Sequence, residues 1–283
     1  MCRLLAYKGP SVILDDLLYE PEHSIINQSY NAKEMEEPLN GDGFGIGWYA
    51  RDIEPSPAVF KSVQPAWNNQ NLQYISPKIS SECVFAHVRA ASVGGVAEMN
   101  CHPFHCGNFM MMHNGGIKNF KEIRRTLLSK LSDAQFHTIQ GQTDSEHIFA
   151  LFLEHLANHS KKHSLSTYKD ALKATVDDVL ALKNEYGLKE TSTLNLFITD
   201  GTQIIGCRYI TDSDKEPLSL YFARGGRFEC QDNKYTLRKT DDNQQAVLFV
   251  SERLNKEAQD WEKVPANHFF TVDKDGVIEF TAV

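Results

Sequence analysis

The stretch Cys83-Val84-Phe85-Ala86-His87-Val88-Arg89-Ala90 sets how the rest of the chain is read. It is apolar at nearly every position, so it reads as a strand buried on both faces, the mark of stacked layers. The arginine is out of place there, because a buried charge is costly unless it is paired. Its partner is an anion: either an internal carboxylate or a ligand carboxylate gripped by both arms of the guanidinium. The stretch alone leaves both open.

Downstream, residues 109–113 form a second apolar strand that runs into Asn114-Gly115-Gly116. Asn-Gly after a strand is first a hairpin signal. It also sets a side-chain amide beside an unencumbered backbone N–H, which is what an oxyanion needs. Residues 118–131 show a helical stripe of Phe120, Ile123, Leu127, Leu128 and Leu131. Gly141-Gln142-Thr143-Asp144-Ser145-Glu146 opens a second helix, with Thr143 or Asp144 as its cap. A loop is expected over 159–166, then a third helix over 168–186 ending near Gly187. The period then changes to strands: 194–199 and 203–209 joined at Asp200-Gly201, then 218–223, 246–250, 268–272 and 277–280.

Upstream, a strand is expected over 2–8, a short helix over 11–18 capped by Ser11, a strand over 59–63, and a helix or irregular link over 69–79. Between them, Asn40-Gly41-Asp42-Gly43-Phe44-Gly45-Ile46-Gly47-Trp48-Tyr49 joins a glycine-rich turn to a strand. Glycine at alternate positions lets backbone approach backbone or ligand. No Gly-Lys-Ser/Thr follows, so this is not a phosphate-binding P-loop. Strands, helices, then strands, without repeats or linkers, imply one α+β domain over residues 1–283.

The 283 residues carry 29 basic and 37 acidic groups, a net charge of −8, which argues against nucleic acid and acidic membranes as partners. No apolar run reaches the roughly 18 to 20 residues that span a bilayer, and no secretory leader is evident. Six cysteines are too sparse for a disulfide scaffold, so a reducing cytoplasm is expected. Cys101-His102-Pro103-Phe104-His105-Cys106 invites a zinc reading, but structural sites spread their ligands over two separated pairs. No metal is expected.

That leaves Met1-Cys2-Arg3. If Met1 is removed, Cys2 carries both a thiol and a free α-amine, whose reference pKa of about 7.7–8.0 suits a base in the cell. A nucleophile activated by its own terminal amine is a recognised arrangement. The plainer alternative is a buried cysteine that opens a strand.

Taken in order, Met-Cys-Arg, Gly-Asp-Gly-Phe-Gly, His-Val-Arg, His-Asn-Gly-Gly and Thr-Asp-Ser-Glu resemble the class II glutamine amidotransferases, which are N-terminal-nucleophile hydrolases. The stretches HSIINQSY, PAWNNQNL, NCHPF, SERL and WEKVPANHFFTVD are similar to a stand-alone branch. It contains a fungal glutathione-degrading subunit and an ergothioneine-pathway γ-glutamyl hydrolase. The resemblance implies a four-layer αββα sandwich. It implies Cys2 as nucleophile with its amine as base, and the Asn114 side chain with the Gly115 N–H as oxyanion hole. Arg89 would bind the substrate α-carboxylate and Asp144 its α-ammonium. The expected reaction is hydrolysis of a γ-glutamyl amide, of glutathione or a relative, through a thioester and without a cofactor. No synthase domain to accept ammonia is visible in the 283 residues, so hydrolysis is expected over amidotransfer. A small γ-glutamyl substrate is the expected partner, with a separate peptidase subunit as a candidate second one. Glutaminase or transfer activity, and a catalytically silent γ-glutamyl-binding subunit, stay open as alternatives.

Overall fold

A computed structural model describes residues 2–34, 38–91, 94–159, 163–231, 234–238 and 245–283. Its strands in chain order are β1 (Arg3–Ile13), β2 (Phe44–Ala50), β3 (Glu54–Ser62), β4 (Ser80–Val88), β5 (Phe104–Cys106), β6 (Phe109–Gly116), β7 (Thr193–Thr199) and β8 (Ile204–Ile210). They continue with β9 (Tyr221–Gly225), β10 (Arg227–Gln231), β11 (Lys234–Arg238), β12 (Ala246–Val250), β13 (Glu262–Lys263), β14 (His268–Val272) and β15 (Ile278–Ala282). The helices are α1 (Leu14–Leu18), α2 (Ile25–Asn31), α3 (Gln70–Ile75), α4 (Phe120–Leu128), α5 (Asp133–Phe136), α6 (Asp144–Ala157) and α7 (Leu165–Glu185).

One antiparallel sheet runs β13-β9-β12-β1-β4-β2-β3, and a second runs β15-β14-β8-β7-β6-β5, with β10 and β11 as a separate ribbon. The strand that set the reading, β4, lies inside the first sheet between β1 and β2. Its side chains alternate between two cores: Cys83 and Phe85 face the second sheet, while Val84, Ala86 and Val88 face the outer helices. Leu4 and Ala6 of β1 likewise point inward, and Leu5 and Tyr7 outward. Helices α4, α6 and α7 cover the second sheet through Phe120, Ile123, Ile148, Phe152, Leu172 and Val176, and α1 to α3 cover the first. Each fully buried Leu or Phe contributes about 1.5–3 kcal/mol, so this period-2 alternation with apolar residues on both sides builds the αββα sandwich.

Several local expectations are corrected. Strand β1 continues through Gly9 and Pro10 to Ile13 by a register shift between Lys8 and Val12, so α1 starts at Leu14 without a Ser11 cap. Asn114-Gly115-Gly116 is no hairpin turn: β6 runs through it, pairing Asn114 with Asn195. Gly115 has φ +148, and a Cβ there would stand 2.1 Å from the Thr193 carbonyl oxygen, so glycine keeps the strand going. Thr143, not Asp144, caps α6 by accepting from the Glu146 N–H. The Ser164 capping box starts α7 earlier than the helical stripe suggests. The Cys101–Cys106 side chains diverge: Cys101 and His102 are buried, His105 is exposed and Cys106 is half-buried against the helical core. His102 packs on His87, with ring centroids 4.2 Å apart, and burial holds His87 down at about 3 and His102 well below the usual histidine range.

The glycine run explains how closely the sheets meet. A Cβ on Gly45 would stand 2.2 Å from the His102 carbonyl oxygen, and one on Gly47 2.2 Å from the Met110 sulfur. The start of β1 is fixed differently, by a carboxylate. Glu252 lies 3.3 Å from Arg3 Nε, accepts from His23 Nε2 at 2.7 Å, and accepts the Lys33 and Glu34 backbone N–H groups at 2.9 Å each. Burial alone would raise its pKa, but the His23 bond, the two amides and Arg3 together hold it below the usual glutamate range.

Two outcomes follow. Gly45→Ala is expected to lower stability by about 2–3 kcal/mol in urea unfolding, against about 0.5 or less for Gly95→Ala, where a Cβ meets nothing within 4 Å. Glu252→Gln is expected to cost about 3 kcal/mol near neutral pH, because Arg3 is left buried without its anion. Since the folded pKa of Glu252 is depressed, its contribution is complete above the unfolded value of about 4.3 and is lost as pH falls through the lower folded value. The gap between wild type and variant should therefore close in acid unfolding curves below about pH 4.

Candidate active site

Cys2 sits just ahead of β1, half-buried, with its sulfur 3.4 Å from both the N–H and the carbonyl oxygen of Ala90. Burial pushes the thiol above its usual range, opposed by the Ala90 amide and by the charges of Arg89 and Arg3. A thiol in that state is mostly protonated at neutral pH and needs a base to become a nucleophile.

Ala90 belongs to a segment, 89–91, held by the glycine-rich stretch. Arg89 N–H donates to the Gly43 carbonyl at 2.8 Å, Asp42 N–H donates to the Arg89 carbonyl at 3.0 Å, and Asp42 Oδ2 accepts from Ala91 N–H at 2.8 Å. The stretch 40–49 thus makes the backbone-to-backbone approach that its glycines allow, and Asp42 fixes the backbone beside Cys2.

Arg89 is buried just past the end of β4 rather than within the strand. Its guanidinium donates to the carbonyls of Gly95 at 3.1 Å and Gly94 at 3.4 Å. The Gly95 carbonyl also accepts from Asn100 Nδ2 at 2.9 Å, and Asn100 Oδ1 accepts from the Gln142 N–H at 3.0 Å. A continuous polar link thus joins Arg89 to the segment that leads into Asp144. Sequence reasoning quoted Asn100 only within the stretch NCHPF and gave it no role.

Asp144 is the first residue of α6, where the helix dipole favours an anion. Its Oδ2 accepts the Ile117 N–H at 2.7 Å and its Oδ1 the Ser145 N–H at 2.9 Å. Ile117 follows β6 directly, so this bond brings Asp144 to the end of the strand that carries Asn114 and Gly115. His113, in the same strand, bridges Ser145 Oγ at 2.9 Å and the Thr193 carbonyl at 3.2 Å. Burial lowers its pKa, against the pull of Asp144. A neutral ring with its proton on Nε2 satisfies both partners: it donates to Thr193 and accepts from Ser145.

Asn114 is tied to the first sheet. Its side-chain amide lies 3.1 Å from Ser251 Oγ, which also accepts the Leu4 N–H at 3.0 Å. Leu4 is two residues from Cys2. The five residues singled out from sequence thus lie on one hydrogen-bonded frame at one end of the two sheets. Asn100, Asp42 and Ser251, which sequence reasoning missed as site residues, form the ties between them. Among the described residues no group of three or more His, Cys, Asp or Glu side chains could hold a metal ion, and no helix is long and apolar enough to cross a membrane.

Known proteins resemble this chain over most of its length. The chain is 41% identical to the probable glutamine amidotransferase DUG3 of Saccharomyces cerevisiae, over 98% of this chain and 83% of that one. It is 32% identical to the γ-glutamyl-hercynylcysteine sulfoxide hydrolase of Mycobacterium tuberculosis, over 41% of this chain and 50% of the hydrolase. Among solved structures, a glutamine aminotransferase class-II domain protein of Silicibacter pomeroyi superposes with a TM-score of 0.68 at 22% identity, covering 99% of this chain and 97% of that one. The glutamine phosphoribosylpyrophosphate amidotransferase of B. subtilis gives 0.61 at 16% identity, over 99% of this chain and 49% of its own. At such identities these two likenesses speak for the fold. The sequence profile of the class-II glutamine amidotransferases matches residues 22–283, and with it the chain belongs to that family.

Proposed function

We propose that the protein hydrolyses the γ-glutamyl amide bond of glutathione or a related compound, through a γ-glutamyl thioester on Cys2. The observation that carries this reading is the frame linking Arg89 through Gly95, Asn100 and Gln142 to Asp144. It presents a cation and an anion together, a match for the α-carboxylate and α-ammonium of a γ-glutamyl group. Carbonyls orient the guanidinium and amides orient the carboxylate. The hydrolase relative, named for a γ-glutamyl compound, and the DUG3 relative support the same substrate class.

In this reading Met1 is removed and the Cys2 α-amine takes the thiol proton as the sulfur attacks the γ-carbonyl. The Asn114 amide and the Gly115 N–H receive the oxyanion. The amine then delivers the proton to the departing nitrogen, the C–N bond breaks, and the thioester remains. Water, deprotonated by the same amine, releases glutamate and restores the thiol. With glutathione the leaving group is a dipeptide, so a peptidase is the fitting partner subunit. The reducing cytoplasm is the compartment that keeps the thiol usable.

Processed wild type incubated with glutathione, glutamine and γ-glutamyl amines should release glutamate, most readily from the glutathione class, and quenched samples should carry one γ-glutamyl group by intact mass. Cys2→Ala should lose both signals; release at the wild-type rate would end the proposal. So would full activity in a form that keeps Met1. Arg89→Ala and Asp144→Asn should each raise KM by about 10- to 100-fold, the worth of one hydrogen bond to a charged group. The acid limb of kcat/KM should follow the α-amine, falling as pH drops below about 8.

A further inference from the structure

The contacts between Asn114 and Ser251 leave buried polar groups unmatched. Ser251 follows β12 directly and is fully buried. Its hydroxyl oxygen faces two N–H donors, Leu4 N at 3.0 Å and Asn114 Nδ2 at 3.1 Å. With both lone pairs so engaged, the hydroxyl proton has no acceptor among the described residues. Asn114 Oδ1, on a side chain only 1% exposed, meanwhile receives no hydrogen bond there. A buried polar atom left in this state is destabilising.

A carboxamide has nearly the same shape after a half-turn about its last bond, and its orientation is decided by the bonds it makes. Turned over, Asn114 places Oδ1 against Ser251. The hydroxyl then donates to Oδ1 and still accepts the Leu4 N–H, which satisfies the orphaned acceptor and the stranded proton together. The Nδ2 group comes to the place that Oδ1 vacates, with both of its protons directed away from Ser251.

We propose that Ser251 is a positioning residue for the reaction: its hydroxyl donates to Asn114 Oδ1 and so aims the Asn114 N–H groups at the developing oxyanion. This rests on the reading of Asn114 given above. Ser251 suits the task because its backbone N–H also donates to the Leu4 carbonyl at 3.1 Å. One residue thereby holds the strand that follows Cys2 and the amide in the facing sheet. In the opposite orientation Asn114 would turn an acceptor toward that position, where it would repel an oxyanion instead of stabilising it.

Two measurements test this. In a neutron structure of wild-type protein exchanged into deuterium oxide, the Ser251 deuteron should point at Asn114 Oδ1. An Asn114 amide deuteron on Ser251 Oγ would overturn the proposal. In kinetics, Ser251→Ala should lower kcat by about 10- to 100-fold, somewhat less than the 10²- to 10³-fold typical for loss of an oxyanion donor, with KM little changed. Ser251→Thr, which keeps the hydroxyl, should restore most of the rate. In an Asn114→Ala background, Ser251→Ala should cause no further loss; two losses that multiply would overturn the proposal. The neutron measurement needs neither turnover nor a folded variant. If wild type forms no thioester the proposed function fails, while the orientation of the amide is still decided.

Discussion

Cys2 precedes a strand of the first sheet and Asn114 lies in the second, and any chemistry they share depends on how closely those sheets are held. The separation is set where the backbone meets the facing sheet at Gly45 and Gly47, against the His102 carbonyl and the Met110 sulfur. A side chain at either position would wedge the layers apart at the end where the site lies. Interiors packed at crystal-like density transmit such a displacement instead of absorbing it. The inter-sheet core extends the same constraint, with Phe197, Phe249 and Phe270 in mutual ring contact and Phe85 edge-on to Phe197.

The electrostatics follow from where the charges are anchored. Burying Arg89 and Asp144 is costly, and the fold meets that cost with backbone dipoles: two glycine carbonyls for one, two amide N–H groups and a helix start for the other. Backbone dipoles orient a charged side chain without neutralising it. Glu252 makes the contrast, since it meets Arg3 and His23 directly and serves structure. The first arrangement orients its charges through backbone groups; the second uses its charge to fix a strand.

What the sequence disclosed follows the range of the physics. Local signals were plain. The Asp200-Gly201 hairpin, the helical stripes and the apolar runs of β4, β7 and β12 each depend on neighbours within a few residues. Residue 89 drew notice because a charge in an apolar run is locally odd. Gly115 was misread as part of a turn, because its positive φ serves a close pass of the Thr193 carbonyl, and that neighbour is far away in the chain. Strand β5 was missed because three residues carry too little pattern. Ser251 and Glu252 were visible only as a family signature; their roles come from partners nearly the whole chain away. Asn100 and Asp42 likewise stood only inside quoted motifs, and their roles come from the amides and carbonyls that the fold places against them.

Cys2 lies outside the strand that follows it, so its place depends on how the first residues of β1 are held. Here the first strand is secured residue by residue: Cys2 by Ala90, Arg3 by Glu252, and Leu4 by Ser251. Two of those three ties come from adjacent residues that follow β12, so the start of the chain is held by a segment near its end. The Leu4 to Ser251 bond spans 247 residues. Contacts this distant in sequence carry a high loop-closure cost and form only when the intervening structure is in place. Completion of the first sheet and assembly of the site are therefore the same event. A chain that has not yet docked β12 beside β1 lacks the anchor for Cys2 and the tie to Asn114 together, so the thiol gains its surroundings only in the finished fold.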